Sequence, residues 1–481
     1  RSSNGTTSRP ATSNRATTPT RERPLRGIRR LRRSAAVGEH RRPVLQHHRR
    51  ARGAAEPRQP GQPLGGGRDV LAEELVGEID DEHDGTDPAP AVPEGDGWLV
   101  RGDVHLDEVE RLLDVDLDPG DAETLGGAVT GLGIESTSFK NGLPHESVLE
   151  MDILTGTGEL LTASPTNEHA DLFRAFPNSY GSLGYATRLR IELQPIGDLV
   201  ETRNVRFASV AAMTRAIDAI VETREWQGER VDGLDGMIVS KDEAYLVLAN
   251  FFPETRRRPS DYTGQNIFYK SISELDRDTL SAHDYIWRWD TDWFWCSDAF
   301  FAQNPKVRRV WPRKYRRSDF YHRIVGWENR WGFAAKIDEM RGELPRERVV
   351  QDVEVPLEQL ETFMPWFDEH VGMTPVWVCP LRLRGDDAWP LYQLEPNRTY
   401  VNVGFWGTVA ITPGRSDGDV NRDIEAVLPT MHGHKSLYSD VYYDAETFEE
   451  LYGAAEYRRM KTKYDPQGRL PEFADKMRTH A

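Results

Sequence analysis

Two absences bound the chain at once: it has almost no cysteine, and it has no long apolar run. Only Cys296 and Cys379 occur among 481 residues, too few for a disulfide framework or a four-cysteine zinc site within one chain. A reducing compartment fits that usage. No stretch approaches the ~18 apolar residues of a membrane-spanning helix, and Arg1 is not followed by the apolar segment of a secretory signal. A cytoplasmic location is therefore expected.

Residues 1–60 lack more. They contain no Lys, Phe, Tyr, Trp or Met, and set sixteen Arg against Glu22, Glu39 and Glu56. Such a segment cannot form a core, so residues 1–68 are expected to be a disordered Arg-rich leader. The segment carries +13, which leaves −30 on the other 421 residues of a chain whose total is −17. An acidic body repels nucleic-acid phosphates, and the leader has no aromatics for base stacking. No nucleic-acid partner is expected, although an Arg-rich arm of this kind also suits an anionic membrane surface.

What is present is the composition of a soluble globular protein, 38% hydrophobic and 29% charged, long enough for two or three domains. From Asp69 the pattern is an acidic amphipathic helix, VLAEELVGEIDDEHD, then the Pro-rich DPAPAVPEGD, then GWLVRGDVHLDEVERLLDVDLDPGD. The last reads as a strand around Trp98 and Val100 and a short helix with Leu106, Val109, Leu112 and Leu113 on one face. Residues 69–127 resemble the transporter-associated domain of the CorC/HlyC efflux and haemolysin-type proteins, through LVGEI, G-W-LV-G and the ETLGG turn.

The densest motif is TLGGAVTGLGIESTSFKNGLPHESV, with Gly126, Gly127, Gly131, Gly133 and Gly142. Glycine permits close backbone approach to a ligand, and Thr124, Thr130, Ser136 and Ser138 add hydroxyls. The spacing is neither a dinucleotide-binding G-x-G-x-x-G nor a P-loop. Apolar alternation follows in LEMDIL and ELLTA, then the helix NEHADLFRAF. Beyond Gly197 come strand ETRNVRF, helix VAAMTRAIDAIVETRE and strands LDGMIVS and EAYLVLANFF. A second set contains helix PLEQLETFMPWFDEHV, strands TPVWVCPLRLR and TYVNVGFWG, and helix VNRDIEAVLPTM. Two such sets give an α+β protein with an antiparallel sheet backed by helices. Between them, DYIWRWDTDWFWCSDAFF concentrates Trp287, Trp289, Trp293 and Trp295 with Phe294, Phe300 and Phe301, a composition equally suited to core packing and to a greasy ligand. Cys379, in an apolar strand, reads as a buried, inert thiol.

The order T-x-GG, G-x-G-x-E-S-x-S, the N-G turn, DLF and SYGSLGYATRLRIEL resembles the second half of the FAD-binding domain of the p-cresol methylhydroxylase (PCMH) and vanillyl-alcohol oxidase superfamily. The likeness is strongest to its delta-24-sterol reductase group and continues through VVQDVEVPLEQL, TPVWVCPLRLR, TYVNVGFWG and MHGHKSLYSDVYYDAETFEELY. It implies that residues 124–197 are the second half of the FAD-binding domain and 198–481 a substrate cap. By the same likeness, Thr124, Gly126, Gly127, Gly131, Gly133, Glu135, Ser136 and Ser138 line the cofactor, and Gly181, Gly184 and Tyr185 form a second turn against it. His145 is expected to be structural rather than a point of flavin attachment.

The implied chemistry is transfer of hydride from reduced FAD to one alkene carbon of a sterol-like or lipid substrate, with an acid supplying a proton to the other. NADPH or NADH is the implied electron donor, and a methylene-branched fatty-acyl chain is the alternative substrate. Candidate acids are Tyr438, Lys435 and His434. The family's first FAD lobe, with its pyrophosphate-gripping loop, is not recognisable ahead of Thr124. Losing several charge-assisted phosphate contacts of about 1.5–3 kcal/mol each would impair cofactor binding. Competing expectations are therefore a non-enzymatic transporter-associated regulatory module and a nonfunctional gene hybrid. No metal is expected, and lipid partnership brings with it the expectation of peripheral membrane contact.

Overall fold

The computed structural model describes residues 91–94, 97–101, 125–254, 257–264, 266–318, 320–321, 323–325 and 343–478. The leader, the acidic helix after Asp69 and the segment 102–124, including Thr124, lie outside the described residues.

Two antiparallel sheets organise the rest. The first has five strands: β1 (Ala91–Glu94), β2 (Gly97–Arg101), β3 (Val148–Leu154), β4 (Leu160–Ala163) and β5 (Tyr185–Ile191), in the order β1-β2-β5-β3-β4. The GWLVR segment is thus a strand, and it pairs with β5 from Trp98↔Ile191 to Arg101↔Arg188. The hairpin ahead of the glycine-rich stretch therefore belongs to the same sheet as the strands after it. In β3, Val148, Met151 and Ile153 are buried and join a core with Leu172, Phe173 and Phe176 from the helix Ala170–Ala175 and its end. The chain's last segments enter this core too, through Leu437, Phe448, Tyr452, Met460 and Phe473.

The second sheet has eight strands. In chain order they are β6 (Leu199–Phe207), β9 (Gly233–Ser240), β10 (Glu243–Asn250), β11 (Arg277–Ser281), β12 (Arg346–Pro356), β13 (Val376–Leu381), β14 (Tyr400–Ala410) and β15 (His434–Lys435), and across the sheet β11-β6-β10-β9-β13-β14-β12-β15. A separate two-residue pair, β7 (Glu225–Trp226) with β8 (Glu229–Arg230), connects helix to sheet. The two sets of strands and helices seen in the sequence join edge to edge at β9 and β13, where Val376 pairs with Ile238 and Val378 with Gly236.

Side chains alternate across a strand, so each strand divides its residues between two faces. Leu234, Ile238, Leu246, Val353, Val376, Val378, Val401 and Val403 bury one face against helices. The helix Val210–Thr223 packs there because Met213, Ile217, Ile220 and Val221 recur at helical spacing, and Ser209 caps its start by accepting from the Ala212 amide at 3.2 Å. The helices Leu360–His370 and Asp419–Val427 cover the same face through Phe363, Phe367 and Ile424.

The opposite face carries Met237, Tyr245, Trp377 and Cys379. The tryptophan-rich segment lies on it: Phe294 stacks on Trp289 with ring centroids 5.0 Å apart and approaches Trp406 at 4.2 Å and Trp377 at 5.3 Å. Trp287 and Trp289 are buried, so most of these aromatics are core. Phe301 is the exception, 73% exposed. No helix among the described residues is long and apolar enough to cross a membrane.

Candidate functional site

The glycine-rich stretch folds tightly rather than opening as one loop. Gly126 and Gly127 lie in the short helix Leu125–Thr130, where their carbonyls accept from Thr130 Oγ1 at 2.8 and 3.2 Å, and the Gly127 carbonyl also accepts from the Gly131 amide at 2.8 Å. Those two carbonyls are therefore engaged within the helix itself. Gly131, Leu132, Gly133, Ile134 and Glu135 follow without regular structure and are half-buried. A Cβ on Gly133 would come 2.9 Å from Pro144, so that position is restricted by its own neighbour.

The second predicted turn closes on the first. Asn178 Nδ2 donates to the Gly131 carbonyl, and the Tyr180 amide donates to the Thr130 carbonyl at 2.9 Å. Gly181 takes φ +76°, open to glycine and strained for other residues. Gly184 takes φ +149°, and a Cβ there would lie 2.6 Å from the Leu154 carbonyl oxygen. Its smallness serves the approach of β5 to β3. Tyr185 is exposed at the start of β5. Beside these turns, Asn178 Oδ1 and Ser179 Oγ are buried with no hydrogen-bond partner among the described residues, the kind of atom a ligand satisfies.

The hydroxyls expected on the cofactor wall are used by the protein. Ser138 Oγ accepts from the Glu135 amide at 3.0 Å, closing the turn ahead of the short helix Ser138–Asn141. Ser136 Oγ meets the Tyr285 hydroxyl at 2.9 Å, and its carbonyl accepts from the Leu234 amide at 2.7 Å. Gly233 makes room for this contact, because a Cβ there would sit 2.3 Å from the Tyr285 hydroxyl. The Cys379 thiol reaches the Glu135 carbonyl at 3.2 Å. The wall predicted for the flavin thus meets the second sheet on the face opposite the helix Val210–Thr223. Burial pushes the Cys379 thiol well up, with the Asp235 and Glu135 carboxylates adding to it, so it is inert as a nucleophile.

Strand register then lines up a polar row running from that contact. Cys379 pairs with Asn402, Asn402 with Glu354, and Glu354 with His434, across β13, β14, β12 and β15. All four belong to the face opposite the helix Val210–Thr223. Glu354 is fully buried, accepts from Ser436 Oγ at 2.9 Å and from the Tyr392 hydroxyl, and is pushed up to about 8 by burial, with repulsion from Asp352 adding. Its carboxyl is therefore mostly protonated at neutral pH. Asn402 Nδ2 donates to Asp352 Oδ1 at 2.7 Å, and Asn402 Oδ1 and His434 Nε2 have no partner among the described residues. At the other end of the face, Asp235 accepts from Arg288 at 2.8 Å and from the Trp289 indole at 2.6 Å, while its Oδ1 is buried and unpartnered among the described residues.

The three candidate acids separate in this geometry. His434 packs between Tyr392 and Tyr452 at 4.5 and 4.8 Å, and burial pushes it down to about 3, so it is neutral. Lys435, one residue on, points to the helix-covered face, where its fully buried ammonium pairs with Glu425 at 2.6 Å and donates to the Asp440 carbonyl. Tyr438 is half-buried in the loop beyond β15. His145 is buried edge-on against Trp389 at 4.3 Å and is held down to about 3 by burial, then by Arg174. Its packing is that of a core residue. Among the described residues no group of His, Cys, Asp and Glu is arranged to hold a metal ion.

Sequence reasoning missed Glu354, Asn402, Ser436 and Tyr392. The one available signal was VVQDVEVP, where Asp352 and Glu354 alternate with valines in a strand otherwise fit for burial.

Comparison with known proteins follows the same two regions. A family described as "Transporter associated domain" matches residues 92–132. Delta(24)-sterol reductase of Rattus norvegicus is 25% identical over 377 residues, covering 74% of this chain and 67% of that protein. The Arabidopsis thaliana Delta(24)-sterol reductase is 22% identical over 386 residues, 71% of this chain and 65% of the relative. Cytokinin dehydrogenase 3 of Oryza sativa is 29% identical over 171 residues, 32% of each chain. The greater part of the chain is therefore homologous to the Delta(24)-sterol reductases and, through the cytokinin dehydrogenase, related to the FAD-binding PCMH-type oxidoreductases, with a transporter-associated segment ahead of it.

Proposed function

We propose that the protein is an FAD-dependent oxidoreductase that reduces a carbon–carbon double bond in a sterol-like or other lipid substrate. The observation that carries this reading is the meeting of the 131–138 turn with the aromatic-covered face of the second sheet, through Cys379 to the Glu135 carbonyl and Tyr285 to Ser136. Residues that fit a flavin adjoin a face with a protonated carboxyl and a thick aromatic layer.

The fit to FAD is through main chain and two orphaned polar atoms, not through serine hydroxyls. The half-buried backbone of residues 131–135 and the unpartnered Asn178 Oδ1 and Ser179 Oγ would hold it, whereas Ser136 and Ser138 are engaged elsewhere. When bound, FAD supplies hydride chemistry. The chain's part is to exclude water and manage a proton. Trp289, Phe294, Trp377 and Trp406 pack on one another as an apolar layer that keeps water from this face. Glu354 stores a proton near neutral pH, and the Ser436 and Tyr392 hydroxyls at its oxygens are the groups through which that proton moves. His434 borders this group as a neutral ring packed between Tyr392 and Tyr452. Lys435 organises β15 through Glu425.

A second reading keeps the transporter-associated match in view. The hairpin β1–β2 sits inside that match and forms the edge of the first sheet, as a regulatory module fused onto a flavin framework would. The full-length protein titrated with FAD decides between them. Visible flavin absorbance that bleaches with dithionite and is regained on adding a sterol side-chain alkene, with saturated product, supports the oxidoreductase. A cooperatively folded protein that is colourless once millimolar FAD has been removed by gel filtration overturns it and favours the module. A nicotinamide donor is tested in the same cuvette by replacing dithionite with NADPH or NADH.

A further inference from the structure

The body of this protein is strongly acidic, and one described segment departs from it. Between Asp298 and Asp319 there is no Asp or Glu, and seven cations stand within residues 306–317. The structure divides them by task. Arg308 is buried and grips Asp292 with both guanidinium nitrogens, at 2.6 and 3.0 Å. Arg316 is buried too, donating to the Trp311 carbonyl at 2.8 Å and to the carbonyls of Gly264 and Arg308. Arg317 lies over the Trp287 ring at 4.9 Å. These three fix the segment to the aromatic layer. Lys306, Arg309, Arg313 and Lys314 are left on the exterior, and among the described residues only Arg313 faces an acid closely, Asp261 at 3.5 Å with both side chains largely exposed.

The same exterior holds the most exposed large apolar side chains of the described residues. Val310 is 79% and Phe301 73% exposed. Both belong to residues 301–314, the stretch that carries the four cations, and Phe301 takes a left-handed φ of +58°. Cations interleaved with projecting apolar groups match the interface of an anionic bilayer, where headgroups take the charges and the acyl boundary takes the side chains. A nucleic-acid ligand would leave Val310 and Phe301 without a partner surface.

We propose that residues 301–315 dock the protein on an anionic phospholipid bilayer, with Lys306, Arg309, Arg313 and Lys314 on headgroups and Phe301 and Val310 inserted between them. The inference does not rest on bound FAD, and its test reads membrane binding alone.

The full chain is sedimented with vesicles of phosphatidylcholine alone or with ~30% phosphatidylserine. Because the Arg-rich leader also attracts anionic surfaces, the comparison is between the full wild-type chain and full-chain variants of the patch. Four lost contacts of roughly fivefold each predict that K306E/R309E/R313E/K314E binds phosphatidylserine vesicles about several hundredfold more weakly. F301S/V310S is expected to bind about tenfold more weakly and to retain wild-type melting, since neither side chain is in the core. This second variant decides the matter should the charge reversal fail to fold. Equal binding of wild type and F301S/V310S overturns the proposal, as does binding by neither. Binding to a DNA duplex that is lost in the charge variant, with no binding to vesicles, overturns it in favour of a nucleic acid.

Discussion

The glycine turns and the aromatic-covered face of the eight-stranded sheet differ in how their polar groups are spent. In the first region, the hydroxyls of Thr130, Ser136 and Ser138 all bond to protein. In the second, Asn402 Oδ1, His434 Nε2 and Asp235 Oδ1 lie buried without partners among the described residues, and Glu354 holds a proton at neutral pH. Buried polar groups without partners are unfavourable unless something supplies the bond. The contrast teaches that in the first region the motif hydroxyls are spent and the reserve lies in their neighbours Asn178 Oδ1 and Ser179 Oγ, whereas in the second it lies in the strand residues themselves. Motif residues there hold the fold, and the chemistry gathers where strands align.

Substitutions that separate groups serving the fold from groups held in reserve can break or sharpen this comparison. The largest effect is expected at Lys435. Lys435→Ala leaves the Glu425 carboxylate buried and unpaired, and should cost about 3–5 kcal/mol in urea unfolding; an unchanged midpoint would return Lys435 to the list of groups available for chemistry. Next comes Gly184→Ala. Its Cβ would press on the Leu154 carbonyl at a φ of +149°, for a loss of about 2–4 kcal/mol. If stability holds and only FAD binding weakens, Gly184 serves the cofactor and not β3.

Glu354→Gln carries the third effect, and it is a slope. The wild-type carboxyl is raised from 4.5 to about 8 in the folded state. Between those values the folded chain keeps a proton that the unfolded chain releases. Rising pH therefore erodes stability, by up to about 1.4 kcal/mol per unit. Urea midpoints at pH 5 and 8 should differ less in Glu354→Gln than in wild type, and equal slopes would show Glu354 ionised in the fold. The smallest expected effect is at the joint between regions. Tyr285→Phe removes the bond to Ser136 and should cost about 0.5–1.5 kcal/mol. A far larger loss would mean that the turn depends on the second sheet to fold.

Much of the architecture was legible beforehand because it rests on local periodicity. The helix Val210–Thr223 follows from Met213, Ile217 and Ile220, and β9, β10, β13 and β14 follow from apolar runs of strand length. The resemblance to the flavin-binding family came from ordered motifs in the same way. The candidate acids were harder. His434, Lys435 and Tyr438 are near neighbours in sequence, yet β15 pairing sends His434 to one face and Lys435 to the other. A one-residue step inverts the face, and no property of the residues themselves announces which face is which. Glu354 was hidden for the converse reason. Its partners Tyr392 and Ser436 are 38 and 82 residues away along the chain.

The amino-acid order alone determined the acidic body with its Arg-rich start, the alternation of strands and helices, and the kinship of the glycine motifs, because charge, period and motif are properties of short stretches. Tertiary structure decided that the β1–β2 hairpin joins the sheet of β5, that Ser136 is consumed in holding Leu234 and Tyr285, and that Cys379, Asn402, Glu354 and His434 stand in one row. Those outcomes depend on which distant strands pair and in what register, a choice made by burial of whole faces rather than by any local segment.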